Sequence, residues 1–172
     1  MENHEIEYTA KEAMQSIVEY LKDKTERATL VITIRTISEK EKNIFIKMFG
    51  HWLHKNRERV FLLAANAAGL QIVKQRIEAA HKGIKIVETA TWEEHGVSDD
   101  MVLNRINGAE ADCIIACLPQ EIEEAFIIRN RMSLNAKVWL GVGSKRDWQQ
   151  EKSWKNKLKE LVSGATQKTN KE

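Results

Sequence analysis

Asp112-Cys-Ile-Ile-Ala-Cys-Leu118 is an apolar run of strand length that gives way to Pro119, the single proline of the chain, and to an acidic helix start over Glu121, Glu123 and Glu124. It reads as a buried strand, because a run without polar alternation is covered on both faces. Outward in both directions the same unit recurs. Arg59-Val-Phe-Leu-Leu-Ala-Ala65 is a strand followed by a helix over about 67–81, with Gly83 expected as its stop, and Ile84-Lys-Ile-Val87 is the next strand. Ser98-Asp-Asp caps a helix through Ile106 that Asn107-Gly108 ends. Beyond a helix over about 120–132 comes Lys137-Val-Trp-Leu-Gly-Val142.

Toward the N-terminus, Thr9-Ala-Lys-Glu12 is a capping box ahead of Met14, Ile17, Val18 and Leu21, so a helix is predicted to about Lys24. Thr29-Leu-Val-Ile-Thr-Ile34 is a β-branched strand, and Ser38-Glu-Lys-Glu41 caps a helix to about His54. Strands separated by helices of this length need crossover connections. The fold class is therefore α/β: a Rossmann-like three-layer sandwich with a mostly parallel sheet of about five strands. The expected organisation is a Rossmann-like domain over 1–147, a basic amphipathic helix over 148–162 and a disordered tail over 163–172.

Composition agrees with one ordinary core. The 172 residues are 42% hydrophobic and 30% charged, with a net charge of +2. Such a charge gives no field that favours nucleic acid, and the basic residues are not interleaved with aromatics on one face. The start, Met-Glu-Asn-His-Glu-Ile-Glu, has no basic region followed by an apolar run, so residence in the cytoplasm is expected. No stretch approaches the ~18 apolar residues of a membrane span. Cys113 and Cys117 share one face of a strand and are expected to pack in the core.

In an open parallel sheet the ligand crevice lies beyond the carboxyl ends of the strands. Ala64-Ala-Asn-Ala-Ala-Gly69 offers small residues and a helix N-terminus, either for a phosphate or for close packing, and selects Ala65 and Asn66. The glutamates after the fourth strand read as helix capping or as one carboxylate receiving ribose hydroxyls. Gly143-Ser-Lys-Arg-Asp147 brings Ser144, Lys145 and Arg146, whose cations suit a diphosphate. His95 falls in the loop after the third strand, near the crevice, as a candidate base. His51 and His54 lack a third ligand, so no metal and no cofactor are expected. In the last helix Trp154, Leu158, Leu161 and Val162 share a face flanked by Lys152, Lys155, Lys157 and Lys159, which fits either docking on the sheet or contact with a membrane surface.

From about Arg59 to Asp147 the chain resembles the WecG/TagA/CpsF glycosyltransferases. The matching residues are Val60-Phe-Leu-Leu63, Ile84-Lys-Ile-Val87, Ile106-Asn107 with Ala111-Asp112, Ala116-Cys-Leu-Pro119, and Gly141-Val-Gly143 with Asp147, while Thr9 to Ile34 resembles the family's opening helix and strand. The resemblance implies transfer of an N-acetylhexosamine from a uridine diphosphate donor to a lipid-linked acceptor in cell-surface polysaccharide or teichoic acid synthesis. It further implies Glu124 on the uridine ribose, Lys145 or Arg146 on the diphosphate, and Thr33 at a catalytic position.

The departures fall on the chemistry. The family's Thr-x-Asn is Thr33-Ile-Arg35, its Pro-Lys-Gln-Glu-x-Trp-Ile is Glu121-Ile-Glu-Glu-Ala-Phe-Ile127, and its double-glycine turn is Ala64-Ala65. Its segment with an Asp-Gly pair and a proposed catalytic aspartate has no room between His54 and Val60, leaving Asp147 or His95 as the substitute base. Two readings stand. One is a transferase with impaired or altered catalysis, peripheral on the cytoplasmic membrane face through Trp154, Lys155, Leu158 and Lys159. The other is a silent relative that binds a nucleotide or a partner. Homo-oligomerisation is left open.

Overall fold

The computed structural model describes residues 9–23, 28–93 and 98–144. Helix α1 (Ala10–Lys22) begins at the expected capping box: Thr9 Oγ1 accepts from the Glu12 amide and Glu12 Oε1 accepts from the Thr9 amide. Strand β1 (Leu30–Thr33) leads through the Ser38 N-cap to α2 (Glu39–Lys55), then β2 (Arg59–Ala64), α3 (Ala67–Ala80) and β3 (Lys85–Thr91). After them come α4 (Asp99–Gly108), β4 (Cys113–Cys117), α5 (Gln120–Asn130), a 3-10 turn (Arg131–Ser133) and β5 (Val138–Gly141).

The five strands form one sheet in the order β1-β5-β4-β2-β3, every described pair parallel. Side-chain alternation divides each central strand between two cores. Val60, Leu62, Ala64, Cys113, Ile115, Cys117, Val138 and Leu140 face one side and pack with Met14 and Ile17 of α1, Phe45 and Phe49 of α2, and Val73 and Ile77 of α3. Phe61, Leu63, Ile114, Ala116 and Trp139 face the other and pack with Val102 and Ile106 of α4 and Phe126 of α5. Phe126 stacks on Trp139 with centroids 5.5 Å apart and meets Trp92 edge-on at 5.7 Å. Both cysteines are buried, and burial pushes the Cys113 thiol up, out of reach of thiolate chemistry.

Two local expectations need correcting. Helix α3 is closed by His81 in an extended conformation, not by a glycine in the left-handed region. Gly83 is needed for space: an added Cβ would run into the His54 imidazole, whose Nδ1 lies 2.8 Å from the Gly83 carbonyl oxygen. Strand β3 continues four residues past Val87, because a register shift beside Val60 and Phe61 lets Glu88 to Thr91 pair with Phe61 to Ala64. The polar Glu88 hides this continuation in the sequence; its carboxylate is satisfied by Arg105 Nε at 2.7 Å.

The order of strands creates one divergence. From β2 the chain moves outward through α3 to β3, and from the adjacent β4 it moves the opposite way through α5 to β5. Helices α3 and α5 therefore lie on opposite faces, and the carboxyl ends of β2 and β4 form the topological switch point, the place where open parallel sheets bind their ligands.

Candidate functional site at the carboxyl edge of the sheet

The five strands end level with one another. Thr33 pairs with Gly141, Ala116 with Gly141, Ala64 with Cys117 and Ala64 with Thr91. The ladder extends one residue further: the Ile34 amide donates to Gly141 O at 2.9 Å, Val142 to Ala116 O at 2.9 Å, Ala65 to Cys117 O at 3.2 Å and Trp92 to Ala64 O at 2.8 Å. The rim is thus fixed by backbone bonds before any side chain is considered, and Gly143, at φ 91, makes the left-handed turn leading from β5 to Ser144.

Thr33, Ala65, Asn66, Glu124 and Ser144 all belong to segments that leave this edge. Thr33 is exposed, and its hydroxyl accepts from the Arg35 amide at 3.2 Å. Asn66 is the N-cap of α3, its Oδ1 accepting from the Gly69 amide at 2.9 Å. Ala65 and Ser144 are half-buried. Glu124 is exposed and accepts from Gln120 Nε2 at 2.9 Å, one turn earlier on its own helix. His95, Lys145, Arg146, Asp147, Trp154, Lys155, Leu158 and Lys159 lie outside the described residues, as do the expected helix over 148–162 and the tail over 163–172.

The most constrained carboxylate at this edge is Glu123, not Glu124. It is 4% exposed, and its Oε2 accepts a short hydrogen bond of 2.6 Å from the buried Trp139 indole. Its other oxygen lies 4.0 Å from Arg35 Nη1, so the side chain spans the rim from α5 across β5 to the turn after β1. The carboxyl group covers Gly141 so closely that a Cβ there would lie 2.9 Å from its Cδ. Burial raises the Glu123 pKa above the usual carboxylate range, and the Glu124 charge adds to this; the Trp139 hydrogen bond and Arg35 oppose it.

A buried acid next to a partly exposed guanidinium can hold or release a proton, or orient a hydroxyl brought to the rim. The sequence held the signal for it. Counting back from Phe126 by three and from Asn130 by seven both give Glu123, the inward face of α5, whereas Glu124 is rotated into solvent.

The opposite edge of the sheet shows what a structural carboxylate looks like. Glu58, just before β2, pairs with Lys137 Nζ at 2.9 Å, and Asp112 accepts from the Arg59 amide at 2.8 Å. These tie the amino ends of β2, β4 and β5 together. Among the described residues no group of three or more His, Cys, Asp or Glu is placed to hold a metal ion, and no helix is long and apolar enough to cross a membrane.

The sequence model described as the glycosyl transferase WecG/TagA/CpsF family matches residues 28–148, well over half of the chain. No curated protein matches the chain.

Proposed function

The chain belongs to the WecG/TagA/CpsF glycosyl transferase family, and on that premise we propose that it binds a UDP-N-acetylhexosamine in the crevice beyond β2 and β4 and that its transfer chemistry is altered. The observation that carries the second half is the connection between α2 and β2. Helix α2 ends at Lys55 and β2 begins at Arg59. The chain turns there through Arg57 in the left-handed conformation, with the Glu58 amide donating to Leu53 O at 2.9 Å. Three residues leave no room for the segment with an Asp-Gly pair that the family carries between these two elements.

In this reading the nucleoside lies between the starts of α3 and α5, with Ala65 and Asn66 on one side and Glu124 on the other. Ser144, Lys145 and Arg146 take the diphosphate, which matches the preference of such anions for paired cations beside a flexible turn. The acceptor is a lipid-linked hydroxyl at the inner membrane surface, in polysaccharide or teichoic acid assembly. Thr33 orients that hydroxyl, and inversion at the sugar requires a base on the far side from the leaving diphosphate. Asp147 and His95 are the candidates among the residues near the edge. Glu123 is the additional one: burial raises its pKa, which makes its carboxylate the stronger proton acceptor once ionised, and it lies 4.0 Å from Arg35 Nη1. Loss of a dedicated base costs about 10²–10⁴-fold in rate, so binding outlives turnover.

The test measures release of UDP from UDP-N-acetylhexosamines with a lipid-linked acceptor presented in detergent. Saturable donor binding with turnover reduced by about 10²-fold or more from that of a full-length family transferase is expected. Turnover equal to such an enzyme would refute altered chemistry, and failure of any uridine nucleotide to bind would refute the crevice assignment.

A further inference from the structure

Away from the crevice, the outer surfaces of α1 and α2 enclose a groove of about 780 Å³. Its floor is Met14 and Val18 of α1 with Met48 and Trp52 of α2. In each pair the residues are four apart, so each forms one ridge along its helix. Four lysines stand around this floor, Lys11 and Lys22 from α1 and Lys47 and Lys55 from α2, against one acidic lining residue, Glu19. From Lys11 to Lys22 the trough runs about 16 Å, roughly three turns of a helix laid along it.

Shape and charge narrow the occupant. Met14 is only 7% exposed and Val18 and Trp52 are half-buried, while all four lysines are exposed, so the apolar groups other than Met48 sit below the lysines, whereas a membrane-inserting surface carries its apolar groups outermost. A second copy of this chain would bring one lysine rim against another. The C-terminal sequence, with Lys152, Lys155, Lys157 and Lys159, repeats the sign of the rim. What fits an apolar trough with a cationic border is an amphipathic helix with apolar residues at i, i+3, i+4 and i+7 and carboxylates on both flanks. We propose that the α1–α2 groove docks an acidic amphipathic helix of a partner protein. Thioether side chains adapt to a helix of varied sequence, and the lysines select its charge. None of the residues lining the groove is assigned to the crevice, so the two sites are tested separately.

The test titrates the full chain into two fluorescently labelled synthetic helical peptides with the same leucine face, one with glutamates and the other with lysines on the polar face, read by anisotropy. The glutamate peptide is expected to bind at least ~10-fold more tightly, a preference of about 1.4 kcal/mol that weakens with salt. The double variant Lys47→Glu/Lys55→Glu, confirmed folded by circular dichroism, is expected to reverse the preference. Equal binding of the two peptides, or no binding of the glutamate peptide, overturns the proposal. So does sedimentation with phosphatidylglycerol vesicles that depends on Lys47 and Lys55 and that the glutamate peptide does not compete away. A self-associated state abolished by the double variant overturns it in favour of a second copy.

Discussion

Replacing Gly141 with alanine tests the packing of Glu123 over the end of β5. In an open strand position the change would stabilise by about 0.5–1 kcal/mol, because glycine loses more backbone freedom on folding. Here the new methyl meets a carboxyl group whose Cδ would be 2.9 Å away, and the displaced side chain leaves the Trp139 indole. Crowding costs about 1–3 kcal/mol. A buried donor left without its acceptor costs a similar amount, about 1–3 kcal/mol. Gly141→Ala should therefore destabilise by about 2–5 kcal/mol, read from urea denaturation followed by tryptophan fluorescence and circular dichroism. Glu123→Ala alone orphans the same indole but opens space. In that background Gly141→Ala should cost no more than about 1 kcal/mol, giving a coupling of at least about 1 kcal/mol. Single costs that add to within about 0.5 kcal/mol would refute the contact.

The pH dependence of stability follows from the same group. Burial holds the folded-state pKa of Glu123 above its unfolded value, so its contribution is fully present below the unfolded pKa and is lost as pH rises through the folded one. Glu123→Gln should flatten the decline in urea midpoint above about pH 4.5 without abolishing it, since burial raises Glu58 in the same direction; an unchanged slope would contradict this. Asn66→Ala removes the α3 N-cap and should cost about 0.5–2 kcal/mol, measured in the same denaturation assay. Thr33→Ala, at an exposed position, should change stability by no more than about 0.5 kcal/mol while lowering UDP release, and a large loss of stability would assign it a structural role instead.

The sheet was legible because most of its strands are apolar runs and its helices carry start signals at Thr9, Ser38 and Ser98, which cap as expected; the Asn66 cap of α3 reads in the sequence only as part of a small-residue turn. The long β3 was not, since Glu88 and the bulge beside Phe61 break the apolar run that marks the other strands. Parallel pairing also put Thr33, Ala65, Asn66, Glu124 and Ser144 at one edge, as expected from strand direction alone. The sequence did not single out Glu123 as the buried member of the three glutamates, for a physical reason. Helix-dipole and capping arguments treat Glu121, Glu123 and Glu124 alike, and only the inward phase of α5, set by Phe126, distinguishes them. Arg35 and Trp139 are invisible as partners of Glu123 because they come from strands distant in sequence, brought together by the placement of β5 between β1 and β4.

Calorimetric titration of the full chain with UDP and with UDP-N-acetylhexosamines tests the central claim most directly. The account predicts one saturable site for the uridine nucleotides, weakened by Asn66→Asp, which puts a negative charge at the start of α3. Absence of heat with every uridine nucleotide, or binding indifferent to that substitution, would contradict it.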